Sequence, residues 1–139
     1  MRVQVEWPRS APTTDVLALL HSPATWADWV PGVVRVAPAG DAVVVDLHAA
    51  VPRTLQLAPC YREDGLDLAL ERGPLPALTV EIRVADAHIR CMVAASLPGA
   101  VPGPLVREME RHVLPSMLDR LDERAGAVAQ GAQEGSRSR

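Results

Sequence analysis

The side chains able to do chemistry are few and scattered. Four histidines, His21, His48, His88 and His112, stand far apart, and no two have a metal-ligand spacing such as H-x-x-x-H. The spacing therefore predicts no structural metal. Cys60 and Cys91 are the two thiols. Without an apolar export signal ahead of them a disulfide framework is not expected, and the ordinary fate of such cysteines is a buried, inert thiol. The chain carries no G-x-S-x-G elbow, no phosphate-cradling G-x-x-x-x-G-K-S/T and no G-x-G-x-x-G. All 14 basic residues are Arg, so lysine Schiff-base chemistry is excluded. A formal charge of −3 and a pI near 5.8 argue against a nucleic-acid partner.

The elements that must position these residues follow from hydrophobic period. Arg2 to Trp7 alternates Val3, Val5 and Trp7 against Arg2, Gln4 and Glu6, the pattern of a strand with one buried face. Ala11-Pro12 opens a helix with Pro at its first position and Val16, Leu19 and Leu20 on one stripe. Ser22 is placed to cap, and Pro23 to start, a second short helix carrying Trp26, Trp29 and Val30 before Pro31-Gly32 stops it.

From Val33 to Leu97 strand follows strand. Val33 to Ala37 is short, and Ala42 to Val51 alternates Val43, Val45, Leu47, Ala49 and Val51 against Val44, Asp46, His48 and Ala50. Thr54 to Arg62 turns Leu55, Leu57 and Tyr61 inward. Leu66, Leu68 and Leu70, then Leu78, Val80, Ile82 and Val84, then Ile89, Cys91, Val93, Ala95 and Leu97 continue the inward face. One dry face and one wet face imply a largely antiparallel sheet. Asp64-Gly65 predicts a hairpin placing Tyr61 opposite Leu68, and Asp86-Ala87 one placing Ile82 opposite Cys91. Pro59 predicts a bulge or break within its strand.

After Pro98-Gly99 and Pro102-Gly103 the period becomes 3.6. Pro104 begins a helix of roughly 25 residues, near 37 Å long. Its stripe is Leu105, Met109, Val113, Met117, Leu121 and Ala125, flanked by Val106, Leu114, Leu118 and Val128. Its charged face, Asp119 and Asp122 included, reads as solvated surface. Pro115 inside it should cost about 3 kcal/mol unless a kink is tolerated. The boundaries predicted are one domain over 1–128 and a disordered polar tail over 129–139. No run approaches the roughly 18 to 20 apolar residues of a membrane helix, and a cytoplasmic protein without an integral membrane segment is expected.

The order of elements, with Ala11-Pro12 through Val16 to Trp26-Ala27-Asp28-Trp29-Val30-Pro31-Gly32-Val33, then Gly73-Pro74-Leu75, then Pro98-Gly99 and Val101-Pro102, resembles the START/Bet v 1-like (SRPBCC) superfamily. Within it the pattern resembles the polyketide cyclase/dehydrase and coenzyme Q-binding branch. The resemblance implies an α+β helix-grip fold: a curved antiparallel sheet of about seven strands wrapped on a long C-terminal helix, with two short helices after the first strand. Where the coenzyme Q-binding branch tends to carry aromatics this chain has Leu78, Val80 and Ile82, which argues against a quinone headgroup.

In such a fold the dry face lines a cavity between sheet and helix. Among the inward strand positions Tyr61 and Cys91 carry the reactive atoms, whereas His, Asp and Glu on the strands face outward. That distribution suits binding of an apolar ligand better than acid–base catalysis. The expected partner is a hydrophobic small molecule, a lipid, polyketide or isoprenoid, with no cofactor and no metal. The expected lining is Trp26, Trp29, Val45, Leu47, Tyr61, Leu68, Val80, Ile82, Cys91, Val93, Met109, Val113 and Met117. Trp26, Trp29, Met109 and Met117 equally suit plain core positions. Two alternatives stand beside binding. One is an enzyme resembling polyketide aromatase/cyclases, which work largely by holding a floppy chain in a reactive shape, with Tyr61, Cys91 and an inward swing of Arg53 as the catalytic candidates. The other is an interaction module using the apolar part of the wet face, Val44, Ala50, Ala69, Met92 and Ala94.

Overall fold

The computed structural model describes residues 1–48, 52–97, 99 and 102–137, with side chains described as far as residue 131. The readings made on Ala49–Val51, on Pro98 and on Val101 lie outside the described residues. Strand β1 (Arg2–Pro8) leads into α1 (Thr13–Leu20), a single turn at Pro23–Thr25 and the short helix α2 (Trp26–Trp29). Six strands follow: β2 (Val33–Ala39), β3 (Ala42–Leu47), β4 (Arg53–Arg62), β5 (Gly65–Arg72), β6 (Ala77–Val84) and β7 (His88–Ser96). They form one seven-stranded antiparallel sheet in the order β1-β7-β6-β5-β4-β3-β2. Because β1 and β2 are opposite edges of that sheet, α1 and α2 must cross its full width.

The C-terminal helix comes in three parts: α3 (Gly103–Glu108), a wider π turn (Met109–Val113) and α4 (Leu114–Arg137). Helix α4 packs on α1, α2, β1 and β7. The apolar stripe explains this docking, since Leu114, Met117, Leu118, Leu121 and Ala125 are all buried. Helical backbone continues to Arg137, into the stretch whose composition predicts a disordered tail. Pro115 is accommodated differently from expectation. The π turn ends at Val113, two residues before it, and widening the preceding turn moves carbonyls away from a ring that would clash with them in a regular helix.

Four local expectations differ from the structure, at one turn, one strand proline and two helix starts. The β4–β5 turn is Glu63-Asp64, so Arg62 pairs with Gly65 and Tyr61 with Leu66 rather than Leu68. Gly65 is a strand residue without a positive φ. Its missing Cβ is what the structure needs, because a Cβ there would collide with the Ile82 carbonyl of β6. Pro59 does not break β4; the irregularity falls between Gln56 and Leu57. Pairing of β3 with β4 ends at Val43↔Leu57, so beyond that point β4 has only β5 beside it, and a missing N–H is tolerated. Pro12 is the residue before α1 rather than its first, and the Ser22 side chain makes no capping bond. Thr25 Oγ1 instead donates to the Leu19 and Ser22 carbonyls. The Asp86-Ala87 register is as read, Ile82 facing Cys91.

The charged face of the long helix is more than solvated surface. Asp122 accepts hydrogen bonds from the Ser10 and Ala11 backbone N–H groups and the Ser10 hydroxyl at 2.8–3.1 Å, and Asp119 accepts from Trp7 Nε1 at 3.5 Å. These bonds tie α4 to the β1–α1 turn, which fixes where the helix lies over the sheet.

Candidate functional site

The inner face of the sheet can be followed row by row, because residues paired across antiparallel strands project to the same side. One row runs Tyr61, Leu66, Ile82, Cys91, Val5. The next runs Pro59, Leu68, Val80, Val93, Val3. Beyond it lie Leu57 with Leu70, and Leu78 with Ala95. All are built from the same apolar alternation, yet their burial differs. In the first row Leu66, Ile82 and Cys91 are 1%, 2% and 0% exposed, since α1 packs on β5 and β6 there. In the second row Leu68 and Val80 are half-buried, and in the third so are Leu70 and Leu78. Burial fades along β5 and β6, away from the end that α1 covers, whereas Leu55 and Leu57 on β4 and Val93 and Ala95 on β7 stay buried.

The helix above that open end is also incompletely covered. No residue of α3 or of the π turn is buried; Val106, Met109 and Val113 are half-buried and Leu105 is 42% exposed. Val106 and Met109 still pack against the core together with Leu47, Leu68, Leu70, Leu78 and Val80. A depression of about 300 Å3 lies at the same end of β6 and β7, but most of its strand lining, Ala77, Thr79, Ala94 and Ser96, belongs to the outer side of the sheet. The result is a partly exposed apolar end, with strand leucines and valines on one side and Val106 and Met109 packed on the other.

No family model matches the chain, and no curated protein does. Solved structures do. TTHA0849 from Thermus thermophilus superposes with a TM-score of 0.71 at 15% identity, over 92% of this chain and 99% of that one. A START superfamily protein from Mycobacterium smegmatis gives 0.68 at 15% identity, over 92% and 97%. The chain has the START-like fold. Zhui aromatase/cyclase from Streptomyces sp. R1128 shares it at a TM-score of 0.63 and 15% identity, over 90% and 93%. The likeness agrees with the resemblance carried by the helix pair and the loop signatures.

Within this START-like frame the expected lining residues part into two groups. Leu47, Leu68, Val80, Met109 and Val113 lie half-buried toward the open end. Trp26, Trp29, Val45, Ile82, Cys91, Val93 and Met117 are buried core. The two Trp are anchors between helices and sheet, their indole N–H groups donating to the Leu20 carbonyl at 3.1 Å and to Thr25 Oγ1 at 3.4 Å. Tyr61 is displaced from its expected place. It ends its row at the sealed end, 47% exposed, edge-on to His21 with ring centroids 5.6 Å apart. His21 is held there by Nε2, 2.9 Å from the Arg62 and Gly65 carbonyls.

The other reactive candidates are equally constrained. Burial pushes the Cys91 thiol up to about 12, so it is no nucleophile near neutral pH. Cys60, expected buried, faces outward and is exposed. Arg53 is exposed, but it pairs with Leu47 and so shares the inner-face side at the open rim. Leu70, Leu78 and Val106 belong at the open end too and were not singled out from sequence, although the first two continue the same alternation. Among the described residues no group of three or more His, Cys, Asp or Glu could hold a metal ion, and no helix is long and apolar enough to cross a membrane.

Proposed function

We propose that this START-like chain binds a hydrophobic small molecule, of the lipid, polyketide or isoprenoid class, at the open end between the sheet and the α3–π segment. The observation that supports this reading is the loss of burial along the apolar face of β5 and β6. A core closed for stability alone would bury Leu68, Leu70, Leu78 and Val80 as fully as Leu66 and Ile82. Leaving large aliphatic side chains half wet forgoes about 25 cal/mol for every Å2 not removed from water, a cost that an apolar ligand would offset. Met109 on the opposing wall adapts to ligand shape, and Arg53 at the rim suits an oxygen-bearing head group. Delipidated protein should gain thermal stability from long-chain lipids or isoprenoids, by about 2.7 kcal/mol at 100 times the dissociation constant. A broad panel without any shift, together with native mass spectra free of a co-purifying molecule, would refute the reading.

The shared fold with an aromatase/cyclase favours a second reading, in which the same open end shapes a poly-β-ketone for ring closure. Cys91 drops out of that scheme because its thiol is buried and protonated, and Tyr61 because it sits at the sealed end. Arg53 remains as the group able to polarise a carbonyl. Cyclised products whose pattern changes in Arg53→Ala would support this reading, and a product profile identical to the spontaneous one would reject it.

A further inference from the structure

The outer side of the sheet carries a second concavity, of about 230 Å3, lined by Arg2, Gln4, Glu81, Arg83, Arg90 and Met92. Three adjacent strands build it. Gln4 of β1 faces Met92 of β7, which faces Glu81 of β6; one row along, Glu6 faces Arg90 and Arg90 faces Arg83. Two guanidiniums directly opposite one another on antiparallel strands repel. Arg83 is fixed in that position, Nη1 donating to Asp67 Oδ1 at 2.6 Å with Asp64 3.7 Å from its Nε. Among the described residues Arg2 and Arg90 form no ion pair within 4.0 Å. In a chain of net charge −3, three arginines thus line one small hollow, with Glu81 inside it, Glu6 opposite Arg90 at its edge and Asp67 bonded to Arg83.

We propose that this hollow binds a phosphate monoester, with the phosphate on Arg90, Arg83 and Arg2 and a small hydroxyl-bearing remainder on Gln4 and Glu81. The guanidinium fork matches phosphate oxygens with two parallel donors. A dianion between Arg83 and Arg90 turns their repulsion into attraction to a shared partner. Glu81 disfavours a bare anion and accepts from a ligand hydroxyl, so a small phosphorylated polyol binds better than inorganic phosphate. The hollow lies on the opposite face of the sheet from the apolar rows, so the proposal does not rest on the binding of an apolar ligand.

Calorimetric titration of the full chain with glycerol 3-phosphate tests this. Saturable binding is expected, weaker for inorganic phosphate and absent for glycerol. Arg90→Gln and Arg2→Gln should each weaken it about tenfold, the loss of one charge-assisted hydrogen bond. Arg107→Gln, an equal change of charge on α3, should leave it unchanged. Arg90→Gln without ligand should melt close to the native chain, since it removes both the repulsion from Arg83 and the attraction to Glu6, and this separates lost binding from lost folding. Vesicles of phosphatidylcholine with phosphatidic acid present the same monoester as a lipid headgroup; capture by these vesicles, with the free ester binding more weakly, would identify a membrane source. Absence of saturable binding to both the free ester and the vesicles overturns the proposal. So does equal weakening by Arg107→Gln, which would mean diffuse attraction and no site.

Discussion

At the scale of single residues, environment separates side chains of one type. Cys60 and Cys91 both lie on central strands, but opposite parity sends Cys60 to the outer face and Cys91 to the buried inner one. In native protein near pH 8 a thiol reagent should modify one cysteine, Cys60, and both only after denaturation; peptide mass spectrometry would distinguish them. Burial raises the folded Cys91 value to about 12 from an ordinary 9.0. Above pH 9 the unfolded chain therefore releases a proton that the folded chain keeps, and stability should fall with rising pH by up to about 1.4 kcal/mol per unit. Urea melts from pH 8 to 11 should show this slope reduced in Cys91→Ala. Asp67 behaves in the opposite sense. The hydrogen bond from Arg83 lowers its carboxyl below the ordinary value of 3.8, with a further bond from Arg62. The contribution of this cluster is complete above pH 3.8 and is lost as pH falls through the depressed value. Asp67→Asn should be less stable than the native chain at pH 7, the difference shrinking in acid. Equal differences at pH 7 and pH 2 would contradict the assignment.

Among the elements, alternation of apolar residues is enough to place every strand, and the change to a 3.6 period places the long helix. What periodicity does not supply is local geometry that depends on a neighbour. Asp64-Gly65 has the composition of a hairpin turn, yet the Ile82 carbonyl on β6 claims Gly65 for the strand, and the turn moves back by one residue. Pro59 has the composition of a break, yet β3 has already ended beside it. Pro115 is the third case. A proline imposed on a regular helix costs about 3 kcal/mol, whereas here the π turn at Met109–Val113 removes the clash beforehand. Pro115→Ala should therefore change stability by well under that amount in urea unfolding. A gain near 3 kcal/mol would show that the turn does not relieve the proline.

Across the whole molecule, the two ends of the inner face should respond differently to substitution. Ile82→Ala at the sealed end should cost about 2 to 5 kcal/mol, as large-to-small changes in closed cores do. Leu78→Asp at the open end should cost far less, because its side chain already meets water, while abolishing the thermal shift produced by an apolar ligand. If Leu78→Asp unfolds the chain as readily as Ile82→Ala does, the open end is core and not a binding site. Residue order alone suffices for the inward face, the antiparallel sheet and the amphipathic helix, because each is a local period imposed by backbone geometry. It also removes lysine chemistry and leaves the inward positions aliphatic. Which part of that face is sealed depends instead on contacts between distant segments. The β1-to-β2 crossing lays α1 over one end of β5 and β6, and Asp122 pins α4 to the turn before α1. Those long-range contacts, invisible to any window along the chain, put Tyr61 and Cys91 out of reach and left Leu68, Leu78 and Val80 partly open.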